Sequence, residues 1–191
     1  MDDPLRKDDR MPKTVVGIAL AAAVMLGSAT PARAQGFEFA AGYAYLNVND
    51  LPDPLPVGWM VSASGKLASW LWLVGEVNGN YKTYSAGGGD LSLSEYTYLG
   101  GARITGPITS PVSPFVQFLV GAAHGAADIG VPNLSLTVSG TNTAAQLGGG
   151  VDINMTPHFG LRGEFDFRGV KTDNDSGGRQ WRLVAAIAIR P

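Results

Sequence analysis

The chain has 191 residues and a formal net charge of −2, which allows one domain, or one domain plus a processed segment. Charged residues make up only 16% of the sequence, which argues against a disordered chain and against a nucleic-acid binder. The absence of cysteine excludes disulfides, thiolate metal ligands and a thiol nucleophile. The 26 glycines indicate tight turns and a crowded interior.

An apolar segment near the N-terminus has the order of a secretory signal. A basic residue precedes the apolar run from Val15 to Leu26, and the small-residue stretch behind it contains a typical cleavage site, Ala32-Arg33-Ala34. The run is shorter than the roughly 20 residues that a membrane anchor needs. We therefore expect residues 1–34 to be an N-terminal extension and cleaved signal peptide, and 35–191 to be the domain. An acidic segment precedes Met11, so translation starting at Met11 is an alternative to Met1.

The clearest pattern in the rest of the chain is an amphipathic hairpin from Gln146 to Phe167. Side chains alternate through QLGGGVDIN and again through HFGLRGEFDF, on either side of a turn that contains Pro157. Strict alternation predicts two antiparallel strands, because successive side chains of a strand point to opposite faces. The second strand is apolar or Gly on one face and almost entirely ionisable on the other. A soluble barrel buries its apolar face and a membrane barrel turns it to lipid, so the hairpin alone fits both.

The same alternation recurs along the domain, in order, as the strands Phe37–Leu46, Trp59–Ala68, Leu71–Thr83, Ser94–Thr105, Phe115–Gly125, the two hairpin strands and Gln180–Arg190. Most runs reach ten residues or more. A membrane-spanning strand needs about 9–11 residues, whereas strands of soluble proteins are most often about five or six. Length therefore favours strands that cross a membrane.

The connections between these runs are mostly short and long in turn. Those at 69–70 and 154–157 are short, and those at 47–58, 84–93, 126–140 and 170–179 are long. The connection at 106–114 is longer than this alternation predicts, but three prolines stiffen it. This alternation is typical of outer-membrane barrels, which have short periplasmic turns and longer external loops. The sequence thus predicts an all-β fold: an eight-stranded antiparallel up-and-down transmembrane β-barrel in the cell outer membrane, preceded by a cleaved signal peptide.

Aromatic residues are expected to form two girdles at the membrane surfaces. One girdle would contain Trp70, Trp72, Phe115 and Phe159, and the other Tyr81, Tyr84, Tyr96 and Tyr98. A general preference of aromatic residues for strands explains their positions nearly as well.

The polar faces of the strands define the interior of the predicted barrel, which eight strands make just wide enough for side chains to fill. Six acidic and six basic residues are expected to point inward: Glu38, Lys66, Glu76, Lys82, Glu95, Arg103, Asp152, Arg162, Glu164, Asp166, Arg168 and Arg182. A lone buried charge costs several kcal/mol, so such charges must pair. We therefore predict a structural salt-bridge network of Glu38, Glu76, Glu95, Arg103, Arg162, Glu164, Asp166, Arg168 and Arg182 that leaves no open pore.

Other motifs carry weaker signals for chemistry. The Gly148–Gly150 run lacks the following helix of a dinucleotide-binding loop, and close packing explains it better. Glu164 and Asp166 are expected to be salt-bridged rather than an acid–base pair. His124 and His158 are too few for a metal site. The segment containing Asp173 and Asp175 matches only the start of a calcium loop. We therefore assign no catalytic, cofactor-binding or metal-binding residues and expect no cofactor.

As a whole, residues 35–191 resemble the small outer-membrane β-barrel family (OmpA/OmpX-type eight-stranded barrels, the outer membrane protein beta-barrel domain). LGGGVDINMTPHFGLRGEFDF is similar to the last hairpin but one of that family, and PFVQFLVGAAHG to its fifth strand. The resemblance implies a Gram-negative outer-membrane protein whose partners are outer-membrane lipid and the barrel assembly machinery. Members usually end on an aromatic residue that this machinery reads, whereas this sequence ends Ile189-Arg190-Pro191.

Members of this family range from structural anchors to adhesins and lipid-modifying enzymes, so the sequence leaves three functions open. The leading hypothesis is a monomeric, non-enzymatic barrel with a structural or surface-interaction role. A lipid-modifying enzyme, similar to lipid A deacylases, would carry a Ser two residues from a His on an outward face, but His124 is followed by Gly125-Ala126. A secreted soluble barrel that binds an apolar ligand would turn its apolar face inward.

Overall fold

The computed structural model describes residues 36–49, 54–86, 89–131, 134–171 and 178–191. They form eight antiparallel strands that close into one barrel, in which β1 pairs with both β2 and β8. The strands are β1 (Phe37–Val48), β2 (Val57–Lys66), β3 (Leu71–Ala86), β4 (Gly89–Thr105), β5 (Val112–Val131), β6 (Leu134–Asn154), β7 (Phe159–Lys171) and β8 (Gly178–Ile189). The predicted all-β, eight-stranded antiparallel barrel is confirmed. No helix in the described ranges is long and apolar enough to cross a membrane.

The barrel wall is one layer of strands with an apolar outer face and a polar inner face. In β7 the side chains alternate strictly, so that Phe167 is 61% exposed while its neighbour Asp166 is 0% exposed. The interior of an eight-stranded barrel is filled by the side chains that point into it. The buried charged residues of β7 therefore lie inside the barrel, and its phenylalanines lie outside. The hypothesis of a soluble barrel with an apolar interior is wrong.

Short turns and both described chain ends lie at the same end of the barrel, which we call the turn end. The turns are residues 67–70, 106–111 and 155–158, and the opposite end is called the loop end. Asn154 ties two of the turns together, because its Nδ2 donates to the carbonyl oxygens of Ile108 at 3.1 Å and Ser110 at 2.6 Å. The turn after β4 is shorter than expected, since β5 already begins at Val112.

Two hairpins at the loop end continue where long irregular loops were expected, so the predicted loops 84–93 and 126–140 are wrong. β3 and β4 remain paired to Ala86 and Gly89, and β5 and β6 to Val131 and Leu134. Side-chain hydrogen bonds reinforce the pairing, including Thr83 to Ser92 at 3.2 Å. The physical reason is a continued alternation of apolar and polar side chains, as in the segment LSLS from 91 to 94.

These extended hairpins form a sheet that projects beyond the other strands. The outermost residue of β3 that pairs with β2 is Tyr81, and the outermost residue of β6 that pairs with β7 is Thr143. Residues 82–86, 89–95, 125–131 and 134–142 therefore form a four-stranded extension, which we call the loop-end sheet.

Candidate functional site

The most distinctive site in the described part of the chain is its charged interior, which has three connected groups. The group near the turn end is centred on Glu38. Its Oε1 accepts hydrogen bonds from Arg103 at 3.0 Å and Arg162 at 2.6 Å, and its Oε2 accepts from Arg190 at 2.8 Å. Asp152 binds two of the same guanidinium groups, those of Arg162 at 2.7 Å and Arg190 at 3.0 Å. Two carboxylates thus hold three arginines together.

The central group has the opposite balance, because one arginine faces three carboxylates. The guanidinium of Arg182 donates to Glu76 at 2.8 Å, Glu164 at 2.8 Å and Asp166 at 2.7 Å. All four side chains have 0% exposure. Charges without water around them must be compensated by partners in direct contact. Arg182 therefore holds all three carboxylates at once.

The third group lies toward the loop end and is formed by Glu95 and Arg168. Arg168 donates to Glu95 Oε1 at 3.2 Å and to Gln146 Oε1 at 2.8 Å, while Gln180 donates to Glu95 Oε2 at 2.8 Å. The Glu95 side chain is 16% exposed, more than any other member of the ion pairs in the interior. This group is thus the outermost layer of the charged interior.

Amide side chains connect the three groups. Gln117 accepts from Arg103 at 2.8 Å and donates to Glu164 at 2.8 Å, which links the turn-end group to the central group. Gln146 accepts from Arg168 and also donates to Glu76 at 3.5 Å, which links the central group to the third. The interior is therefore one network of charges and hydrogen bonds along the barrel.

The structure brings together all nine residues predicted for this network, namely Glu38, Glu76, Glu95, Arg103, Arg162, Glu164, Asp166, Arg168 and Arg182. Sequence reasoning had placed Asp152 on the same face without assigning it to the network, and had missed Arg190. Arg190 follows the same alternation as Arg182 on β8, which is the signal that identifies it.

Two lysines were also expected to point inward. Lys66 is exposed at the turn end, and Lys82 places its ammonium over the Tyr84 ring, 4.6 Å from the centroid. Among the described residues, the network joins six carboxylates to five guanidinium groups.

The aromatic residues follow the predicted girdles only in part. Trp72 and Phe115 are each 4% exposed and point inward, and Tyr84 shares the inward register of β3, so these three predictions are wrong. Alternation decides the face of a residue regardless of its preference for interfaces. Phe115 instead lies beneath two guanidinium groups, with the Arg103 and Arg162 Cζ atoms 4.6 and 4.9 Å from its ring centroid. These cation–π contacts stabilise the arginines of the turn-end group.

Other aromatic residues form two bands on the outer face. Phe37, Trp70 and Phe159 are exposed at the turn end, and Tyr43, Trp59 and Tyr98 are exposed toward the loop end. In the second band Trp59 Nε1 donates to the Tyr81 hydroxyl at 3.1 Å, and the Tyr81 ring meets the Tyr96 ring edge-on at 5.6 Å.

The two histidines lie at opposite ends of the barrel. His124 Nδ1 forms a 2.8 Å hydrogen bond with the Thr141 hydroxyl on the outer surface, and His158 Nδ1 donates to the Arg190 carbonyl oxygen at 2.9 Å. Within the described ranges no three His, Cys, Asp or Glu side chains are grouped to hold a metal ion. The candidate calcium segment with Asp173 and Asp175 lies outside the described residues.

The Gly148–Gly150 run lies against the charged network, where a larger side chain has no room. A Cβ built on Gly148 would overlap Asp166 Oδ1, and a Cβ on Gly150 would overlap the carbonyl oxygen of Gly163. The glycines thus let neighbouring strands and the central carboxylates approach closely.

We expect Gly148→Val to destabilise the barrel by about 1–3 kcal/mol, because the new side chain must displace the Asp166 carboxylate from Arg182. Gly163→Val is the matched control, because it lies on the outer face with nothing within 4 Å of an added Cβ. Urea titration of the protein folded in phospholipid vesicles measures both. Equal losses of stability for the two variants would contradict the prediction.

The family model of the outer membrane protein beta-barrel domain matches residues 18–186. The chain belongs to this family. Membership confirms the expected resemblance, and it confirms the cell outer membrane as the location of the protein. A comparison with curated proteins gives no match.

Several solved structures of outer-membrane barrels have the same fold as the present chain. Neisserial surface protein A is 18% identical with a TM-score of 0.63, over 82% of this chain and 97% of the other. Ail, the attachment invasion locus protein of Yersinia pestis, is 21% identical with a TM-score of 0.60, over 81% and 99%. A major outer membrane protein of Thermus thermophilus is 14% identical with a TM-score of 0.53, over 80% and 98%. At these identities the likeness concerns the fold.

Proposed function

We propose that the protein is a non-enzymatic outer-membrane barrel that holds a surface-exposed loop end in the membrane for a structural or surface-interaction role. The observation that carries this proposal is the filled interior. Arg168 and Arg182 are fully buried and hydrogen-bonded across the barrel, which leaves the interior to side chains rather than to a solute path. A similar barrel, Ail, is by name an attachment invasion locus protein, and the proposal extends a surface role of this kind to the present chain.

The outer surface supports a role without catalysis. His124 is the ionisable residue nearest to the pattern of a lipid-modifying enzyme, and its hydrogen-bond partner is the Thr141 hydroxyl. A nucleophile activated by a base also needs a third group that orients the base. Among the described residues no carboxylate hydrogen-bonds to His124. This arrangement favours a hydrogen bond that stabilises the hairpin.

We propose that residues 1–34 are removed as a signal peptide, so that the barrel starts at Gln35, and that the barrel is a monomer in outer-membrane lipid inserted by the barrel assembly machinery. Short turns are periplasmic in outer-membrane barrels. We therefore propose that the turn end lies in the periplasm and that the loop end faces the outside of the cell. N-terminal sequencing of the purified protein tests the cleavage site.

Two measurements test the proposal. The mature protein should remain in the membrane fraction after carbonate extraction and migrate differently on gels before and after boiling, because a folded barrel stays compact in detergent. In planar bilayers it should give no steady, large single-channel currents, because the charged network occupies the interior. A soluble protein without the gel shift, or a stable open channel, would contradict the proposed anchor with a filled interior.

A further inference from the structure

The loop-end sheet reverses the polarity of the barrel wall. Its outward face is polar, as shown by Asp128, which accepts a hydrogen bond from Thr137 at 2.5 Å. Its inward face carries Leu93, Ala127 and Val138. The side chains keep the alternation of the membrane-spanning part, so only their chemistry changes. An outward face of hydrogen-bonded polar pairs suits water rather than lipid, and the sheet therefore extends beyond the bilayer with its apolar face toward the barrel axis.

This inward face lines an open cavity of about 450 Å³ at the loop end. Its walls are mostly apolar, from Val48 and Leu55 on one side to Leu93 and Val138 in the loop-end sheet. Volumes of 300–1,000 Å³ with apolar walls and few polar groups are typical of small-molecule sites.

Two glycines keep the cavity open. Gly125 and Gly140 are directly paired across β5 and β6, and both line the cavity. A Cβ built on either glycine has nothing within 4 Å. In contrast to Gly148, these glycines are not required by close packing, and larger side chains at these positions would fill the cavity.

Among the described residues, one charged group lines the cavity, the carboxylate of Glu95. It is the most exposed member of the interior ion pairs, and Arg168 and Gln180 hold it in place from behind. A cation that enters the cavity would reach the exposed part of the Glu95 carboxylate.

We propose that this cavity is a binding site for a small amphiphilic cation, a molecule with an apolar body and a single ammonium group. The apolar walls would bury the body, and Glu95 would accept a charge-assisted hydrogen bond from the ammonium group. An anionic amphiphile of the same size is disfavoured, because its head group would meet the Glu95 carboxylate. In the orientation of the proposed function the site faces the outside of the cell, so the ligand comes from the surroundings.

The test compares octylammonium with octanol, which has the same chain and a neutral head. The full barrel domain in phospholipid nanodiscs is titrated with each probe while NMR follows the backbone amides of Gly125 and Gly140. We expect saturable shifts for octylammonium, with an affinity about ten- to hundredfold higher than for octanol. Glu95→Gln should remove this difference and leave the binding of octanol unchanged.

Gly140→Leu fills the cavity and should abolish the saturable shifts of Gly125 for both probes. Gly163→Leu is the matched control on the lipid-facing side, where a Cβ also has open space, and it should change neither affinity. Each variant is first checked for folding by its heat-dependent gel shift. Equal affinities of the two probes, an unchanged affinity in Glu95→Gln, or shifts that never saturate and persist in Gly140→Leu would overturn the proposal.

Discussion

Replacing Arg182 with Met is expected to lower the free energy of unfolding by about 3–5 kcal/mol. The substitution keeps an unbranched side chain of similar length but removes the guanidinium that donates to Glu76, Glu164 and Asp166. Three carboxylates with 0% exposure then lose their shared cation in a space that water does not reach. The cost of leaving such charges uncompensated exceeds the loss of one hydrogen bond.

The measurement is urea unfolding of the protein in phospholipid vesicles, followed by the heat-dependent gel shift. Arg179→Met is the matched control, because Arg179 lies on the same strand but is exposed, and we expect a change within about 0.5 kcal/mol. A variant that combines Arg182→Met with Glu76→Gln, Glu164→Gln and Asp166→Asn should recover much of the loss, since no buried charge remains unpaired. Equal effects of Arg182→Met and Arg179→Met would refute the central role of Arg182.

The sequence predicts which residues face the interior because alternation is a local property of each strand. Once a single charged residue is assigned to the inner face, its neighbours at spacings of two follow, as Arg162, Glu164 and Asp166 show. Ignoring this rule produced the errors at Trp72 and Phe115, where the preference of aromatic residues for membrane surfaces was given more weight. Continued by one residue beyond β8, the same rule also identifies Arg190 as inward-facing.

The partners of these residues could not be predicted in the same way. Glu38 and Arg190 are 152 positions apart in sequence and meet only because β8 closes the barrel against β1. Which carboxylate an arginine contacts across the interior depends on the register of the paired strands and on the space that neighbouring glycines leave. No local sequence pattern specifies these contacts. The loop-end sheet was missed for another reason. The strands were recognised by an apolar outward face, and beyond the membrane the apolar side chains, such as Leu93 and Val138, point inward.

Replacing Glu38 with Ala is the second change with a large expected effect, again about 3–5 kcal/mol in the free energy of unfolding. Glu38 contacts three arginines, and without it Arg103, Arg162 and Arg190 face only Asp152 among the carboxylates of the turn-end group. The guanidinium groups are fully or almost fully buried, so mutual repulsion adds to the lost hydrogen bonds.

A double-mutant cycle with Arg190→Ala isolates the contact that closes the barrel. Removal of Arg190 takes away part of the uncompensated positive charge, so the combined loss should be smaller than the sum of the single losses by about 0.5–3 kcal/mol. Asp128→Ala, in the exposed face of the loop-end sheet, is the control for loss of a carboxylate outside the interior. If the losses from Glu38→Ala and Arg190→Ala simply add, then the two residues act independently, and the closure between β1 and β8 rests on backbone pairing alone.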